Sequence, residues 1–124
     1  VARSGDLPTA ILRVEGAAIF GLAVFLYARG DYGWLMFALL LLVPDMGLLG
    51  YAAGPRAGAI SYNAVHTTVG PVVLAAIGIL AGSPRVVSVA LVWFAHIGMD
   101  RSLGYGLKHI SGFRETHLGR IGRD

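Results

Sequence analysis

"RVVSVALVWFAHIGMDRSLGYG", residues 85–106, decides how the chain is read. Its first eleven residues are apolar enough to enter a lipid bilayer. A histidine, an aspartate and an arginine then follow within six positions. Ionisable residues inside a membrane segment are costly and are functional by default. The stretch therefore predicts both a membrane helix and a polar site near one end of it.

The rest of the chain agrees with a membrane setting. Of 124 residues, 56% are hydrophobic and 14% charged, against about 25% charged in a soluble domain. Mean hydropathy is +0.69. The 18 glycines fit transmembrane helices, where Gly is commoner than in soluble ones. The length suits one domain. With no cysteine, disulfides, thiolate metal sites and a Cys nucleophile are excluded. The net charge of +3 lies beside apolar runs, which points to a membrane surface and not to nucleic acid. No cleavable signal peptide is read at the N-terminal end.

Four apolar segments follow from this start: roughly Ile11 to Ala28, Trp34 to Tyr51, Ala57 to Leu80 and Pro84 to Leu103. Each approaches the roughly 20 residues needed to cross hydrocarbon. None alternates with period two, and four strands cannot close a barrel, so helices are predicted. The breaks "RGDYG" (29–33), "GPRAG" (54–58) and "GSPR" (82–85) are short and force antiparallel neighbours. The predicted fold is all-α: an integral membrane, up-down four-helix bundle over 1–103, with a tail over 104–124 at the cytoplasmic interface. Pro44 and Pro71 fall inside segments and should kink them. Ala17 and Gly21, and Gly54 and Gly58, have the spacing of small-residue helix contacts.

Basic residues set the orientation. Arg3, Arg13, Arg56, Arg101, Lys108, Arg114, Arg120 and Arg123 lie on the side of the termini, and Arg29 and Arg85 on the other. That bias predicts cytoplasmic termini, in a bacterial inner membrane. Tyr32 and Trp34 would anchor at the outer interface, Tyr51 and Tyr105 at the inner one.

Six polar residues then fall at one depth. Glu15, Asp45, Asn63, His66, His96 and Asp100 all lie roughly 5–13 Å from the cytoplasmic ends of their helices at about 1.5 Å per residue. His96 and Asp100 are four apart and share a face, as do Asn63 and His66 at three. Asp45, His66, His96 and Asp100 are candidate ligands of a divalent metal. Nitrogen and oxygen donors without sulfur suit zinc, iron or manganese. Glu15 is a candidate general base, and Asn63 and Arg101 candidates for orienting substrate. The bland alternatives are a His96–Asp100 bond that braces one helix, Asp45 satisfying backbone groups freed by Pro44, Asn63 as interhelical glue, and Glu15 pairing with Arg13, Arg56 or Arg101. The tail, "GYGLKHISGFRETHLGRIGRD" (104–124), is too polar to span. It either rests on anionic lipid or folds back over the bundle, which could bring His109 and His117 to the polar layer.

Five motifs, "RVEGAAIF" (13–20), "PDMGLLGY" (44–51), "GPRAGAISYNAVHT" (54–67), "HIGMDRSLGYGLK" (96–108) and "THLGRIGR" (116–123), resemble the bacterial domain-of-unknown-function family 4260. That resemblance implies a small four-helix membrane protein. More distantly, the Asp, the His and the His-x3-Asp at helix ends are similar to small membrane-bound metal-dependent hydrolases. Three functions are therefore weighed. The first is a metal-dependent hydrolase of a lipid-like or amphiphilic substrate. The second is a non-enzymatic accessory subunit of a larger membrane assembly, such as a pigment-protein complex. The third is an oligomeric channel, disfavoured because the outer half offers no polar path. The small bundle also predicts a homo-oligomer or a larger membrane partner.

Overall fold

A computed structural model describes residues 7–105 and the backbone of 108–109, 112–116 and 119–120. Four segments are long and apolar enough to cross a membrane: Leu7–Arg29, Trp34–Ala53, Pro55–Leu80 and Pro84–Leu103. They match the four read from sequence, and the molecule is a four-helix bundle with the build of a multi-pass membrane protein. The outward faces are apolar, with Leu35 75%, Leu49 70% and Leu80 88% exposed. A soluble monomer rarely exposes contiguous apolar patches on this scale. Polar His66, Ser88 and His96 are instead buried.

Helix α1 (Leu7–Arg29) packs along α5 (Pro84–Leu103). The two backbones approach at Gly16 and Gly98: a Cβ at Gly98 would lie 2.6 Å from the Gly16 carbonyl oxygen. The pair with helical spacing in the sequence, Ala17 and Gly21, is not the contact. Ala17 is exposed, and a Cβ on Gly21 would meet nothing within 4 Å.

The second span is not one α-helix. It begins as α2 (Trp34–Leu41) and continues as a 3-10 helix over Val43–Ala53. Pro44 explains the change, because it has no N–H to give an i−4 carbonyl. Asp45 N–H then bonds Leu42 O at 3.2 Å, an i−3 bond that leaves the Leu41 carbonyl free for another partner. With three residues per turn, Pro44, Gly47, Gly50 and Ala53 line one edge of the segment. Met46 and Leu49 face out. The small edge lies against α3 (Pro55–His66). A Cβ at Gly47 would come 2.6 Å from Val65 Cγ2, and one at Gly50 2.8 Å from the Ala57 carbonyl oxygen. Ser61 Oγ bonds Gly47 O at 2.5 Å across this seam. Gly54, at φ +115°, turns the chain between the two elements in a conformation that L side chains rarely adopt.

The third span is also broken. Helix α3 ends at His66, Thr67 is extended at φ −82° and ψ 145°, and α4 runs over Val69–Leu80. Pro71 accounts for the position: its ring clashes with the carbonyl four residues back, that of Thr67. Helix α5 repairs the break. Trp93 Nε1–H donates to Val65 O at 2.6 Å, and Arg101 Nη2 donates to His66 O at 3.2 Å. Neighbouring helices satisfy freed backbone groups in this way where no water reaches.

Helix α5 ends in a Schellman motif. Gly104, at φ +94°, donates to Arg101 O, and Tyr105 N–H to Asp100 O at 2.7 Å. Arg13 Nε caps the Ser102 carbonyl at 3.1 Å. Beyond it, three short strands, β1 (Lys108–His109), β2 (Gly112–Thr116) and β3 (Gly119–Arg120), form an antiparallel meander in sequence order. Strands β1 and β2 lie beside α3. The sequence reading assigned no strands to this tail. His117 lies outside the described residues, and His109 is described only by its backbone pairing with Gly112.

A four-residue Asp/His candidate metal centre

Three spans bring Asp45, His66, His96 and Asp100 together, with one ligand atom from each lying within 4.8 Å of all the others. His96 Nε2 lies 3.1 Å from Asp100 Oδ2 and 3.2 Å from Asp45 Oδ1. His66 Nε2 lies 3.3 Å from Asp100 Oδ2 and 3.5 Å from Asp45 Oδ1. The two Nε2 atoms are 3.0 Å apart. Both imidazoles are buried, Asp100 is 14% exposed, and Asp45 is 48% exposed and forms the open edge of the group.

Each ring is held by its other nitrogen. His66 Nδ1 donates to Tyr62 O at 2.9 Å, and the Tyr62 ring stacks on the imidazole with centroids 3.7 Å apart and planes 9° from parallel. His96 Nδ1 donates to Leu41 O, the carbonyl released where α2 gives way to the 3-10 helix. A carbonyl can only accept, so both Nδ1 atoms carry hydrogen. In the neutral rings both Nε2 atoms then present lone pairs. Two nitrogen lone pairs and two carboxylate oxygens converge on one point, and all four are acceptors.

With both rings neutral, such a set could hold a cation at its centre. A tetrahedral ion with bonds of about 2.0–2.1 Å to nitrogen or oxygen spaces its ligand atoms about 3.4 Å apart, and the His–Asp separations run from 3.1 to 3.5 Å. Backbone carbonyls on the second ring nitrogens supply the outer contacts that fix the tautomer of metal-binding histidines. A proton between the Nε2 atoms would hold the rings together, but would leave one of the two carboxylate charges uncompensated within the group. A divalent ion would balance both, as would a proton on each Nε2.

The other sequence-predicted residues are placed differently. Glu15 is exposed on α1, on a face shared with Ile11 and Val14, and stands outside the group. The polar layer therefore comes from three spans, not four. The first span contributes Gly16, which lets α5 lie close. Asn63 is half-buried on α3, one turn before His66. Arg101 is half-buried and caps the end of α3 through His66 O. Tyr62, Trp93 and the Leu41 carbonyl escaped the sequence reading. Tyr62 sits four residues before His66 and Trp93 three before His96, so helical spacing could have flagged both side chains; nothing in the sequence marks a carbonyl.

The family comparison covers residues 9–121 and returns a domain of unknown function, DUF4260. The chain belongs to the DUF4260 family. The match takes in all four spans and all four residues of the group, so the centre lies wholly within the DUF4260 domain. No curated protein and no solved structure matches the chain.

Proposed function

We propose that this DUF4260 chain binds one divalent metal ion through Asp45, His66, His96 and Asp100, and that the centre hydrolyses an amphiphilic substrate drawn from the membrane. The observation that carries the proposal is the inward convergence of four acceptor atoms, with both histidine Nδ1 atoms already committed to backbone carbonyls. Sulfur-free nitrogen and oxygen donors favour zinc, iron or manganese.

A bound divalent ion would supply Lewis acidity and bring the pKa of a water to about 7. The chain's residues do the rest. His66 and His96 are held fixed, one by the Tyr62 stack and the other by the Leu41 carbonyl. Asp100 Oδ2 lies 3.3 and 3.1 Å from their Nε2 atoms, while Asp45 at the open edge can pass a proton outward. Arg101 brings a positive charge near any anionic head group, and Asn63 offers an amide one turn from His66. Glu15, outside the group, takes no part in this reading. In the reaction a water oxygen bonds to the acyl carbon of an ester. The bond from that carbon to the leaving oxygen breaks, and the water's proton ends on the departing oxygen.

The test is hydrolysis of a p-nitrophenyl ester of a medium-chain acid by the purified protein in detergent. Zinc- or manganese-loaded protein should release nitrophenol at a rate that falls at least about 100-fold on removing one catalytic group, here with Asp100→Asn or after chelation. Equal rates in loaded, chelated and Asp100→Asn protein would remove the hydrolase reading. Co-purification with a larger membrane assembly at fixed stoichiometry, without turnover, would favour the accessory-subunit function.

A further inference from the structure

A cleft of about 260 Å³ opens between the second, third and fourth spans, lined by Leu40, Val43, Pro44, Val65, Leu74, Val89 and Trp93. Its walls are hydrocarbon. The indole N–H of Trp93, the one side-chain donor among these residues, is already given to Val65 O.

Three residues of the wall connect it to the Asp/His group. Pro44 precedes Asp45, Val65 precedes His66, and Trp93 lies one turn before His96. Apart from Val65, the lining of the cleft is displaced from the group in one direction along each of the three spans. Leu40 and Val43 come before Asp45, Leu74 comes after His66, and Val89 and Trp93 come before His96. In an up-down bundle these shifts coincide. The cleft extends from the group away from the bundle end that holds Ala53, Pro55 and Leu103. A lipid from the leaflet at that end would lie the same way, with its head outward, its head-group bond at the group and its chain pointing toward the midplane. A second apolar cleft, between α1 and α5 at Ile19, Leu22, Leu26, Leu91 and Phe94, has no such neighbour among the four residues.

We infer that the cleft at Leu40, Val65, Leu74, Val89 and Trp93 is an acyl-chain site, which holds the hydrocarbon tail of a single-chain amphiphile with its hydrolysable bond at the Asp/His group. The inference rests on the proposed metal centre for the chemistry but not for the binding. Trp93 serves as its own reporter. The chain has two tryptophans, and Trp34→Phe leaves Trp93 alone.

The experiment titrates a lysophosphatidylcholine brominated on its chain into Trp34→Phe protein in unbrominated detergent, and reads Trp93 fluorescence. Bromine quenches indole only on contact. Quenching should saturate near one probe per chain. Val89→Phe, filling the space of about two methylenes, should raise the half-saturating concentration about tenfold at the usual transfer energy per methylene, and Leu74→Phe, filling about one, should raise it about fourfold. Leu22→Phe, in the other cleft, should leave it unchanged. Both cleft variants are tested so that misfolding of one, judged by circular dichroism, leaves the other to decide. Quenching that rises linearly without saturating overturns the inference, as does saturation indifferent to both cleft substitutions. Metal content is measured on the same samples. Saturable quenching of a metal-free protein keeps the cleft and removes the metal centre; linear quenching of a metal-loaded protein keeps the centre and removes the cleft.

Discussion

His66 and His96 each offer one nitrogen to the group because the other is held by the backbone. That division of labour makes the supporting residues testable apart from the ligands. Tyr62→Leu removes the ring that lies 3.7 Å over His66 and touches no ligand atom. It should weaken metal binding by about 10-fold, the lower end for outer-sphere changes, with the helical circular dichroism unchanged. Trp93→Phe strips the donor from Val65 O and should cost about 1 kcal/mol, as membrane hydrogen bonds do, read as a lower midpoint in a denaturant titration in detergent. At this scale His66, His96 and Asp100 were legible from spacing and depth, and Asp45 from depth alone. Glu15 shows the limit. Depth along a helix follows from counting residues, but rotation about its axis depends on packing. Gly16 turns toward α5, and Glu15, about 100° round the helix, turns away.

Prolines set both interruptions that build the site. At Pro44 the second span tightens into a 3-10 helix and frees the Leu41 carbonyl for His96; four residues before Pro71 the third span breaks and leaves His66 O for Arg101. The sequence reading expected kinks at both prolines but not a change of helix type. An α-helical count sets Asp45 about 12 Å from Ala53, and the 3-10 rise moves it to about 16 Å, deeper in the bilayer. The signal was present in the three-residue spacing of Pro44, Gly47 and Gly50. It became readable only once α3 was known to press on that edge. Gly50→Val tests the seam, since a Cβ there meets the Ala57 carbonyl oxygen at 2.8 Å. The expected outcome is a fall of about 1–3 kcal/mol in stability, the range for overpacking, together with weaker metal binding because Asp45 rides on the displaced segment. A Gly50→Val protein with unchanged thermal midpoint and unchanged metal affinity would mean that the seam does not position Asp45.

Among the described residues large apolar side chains face outward along all four spans, while His66, Ser88 and His96 are buried among apolar neighbours, unlike a soluble domain. The four spans were legible because hydropathy and turn residues are local properties of the chain. The clustering of three spans around one point was legible only as a coincidence of depth. The strands after Leu103 were not, because at two to five residues each they carry no alternating apolar pattern. The bias of basic residues predicts that the turn at Ser83 faces outward and the Ala53–Pro55 turn inward. As the chain has no native cysteine, Ser83→Cys should react with a membrane-impermeant maleimide in intact cells, and Ala53→Cys only after lysis. Reversed labelling would invert the orientation while leaving the centre intact.

The central claim is that four residues from three spans hold one divalent ion. The most direct measurement is metal stoichiometry by mass spectrometry on detergent-purified protein, loaded with zinc or manganese and then desalted. The account predicts one ion per chain in the parent, and less than about a tenth of that in His66→Ala, His96→Ala and Asp100→Ala, each still helical, because every one removes a ligand from a four-coordinate set. A folded parent that retains no ion, or an ion retained undiminished by all three variants, would contradict it.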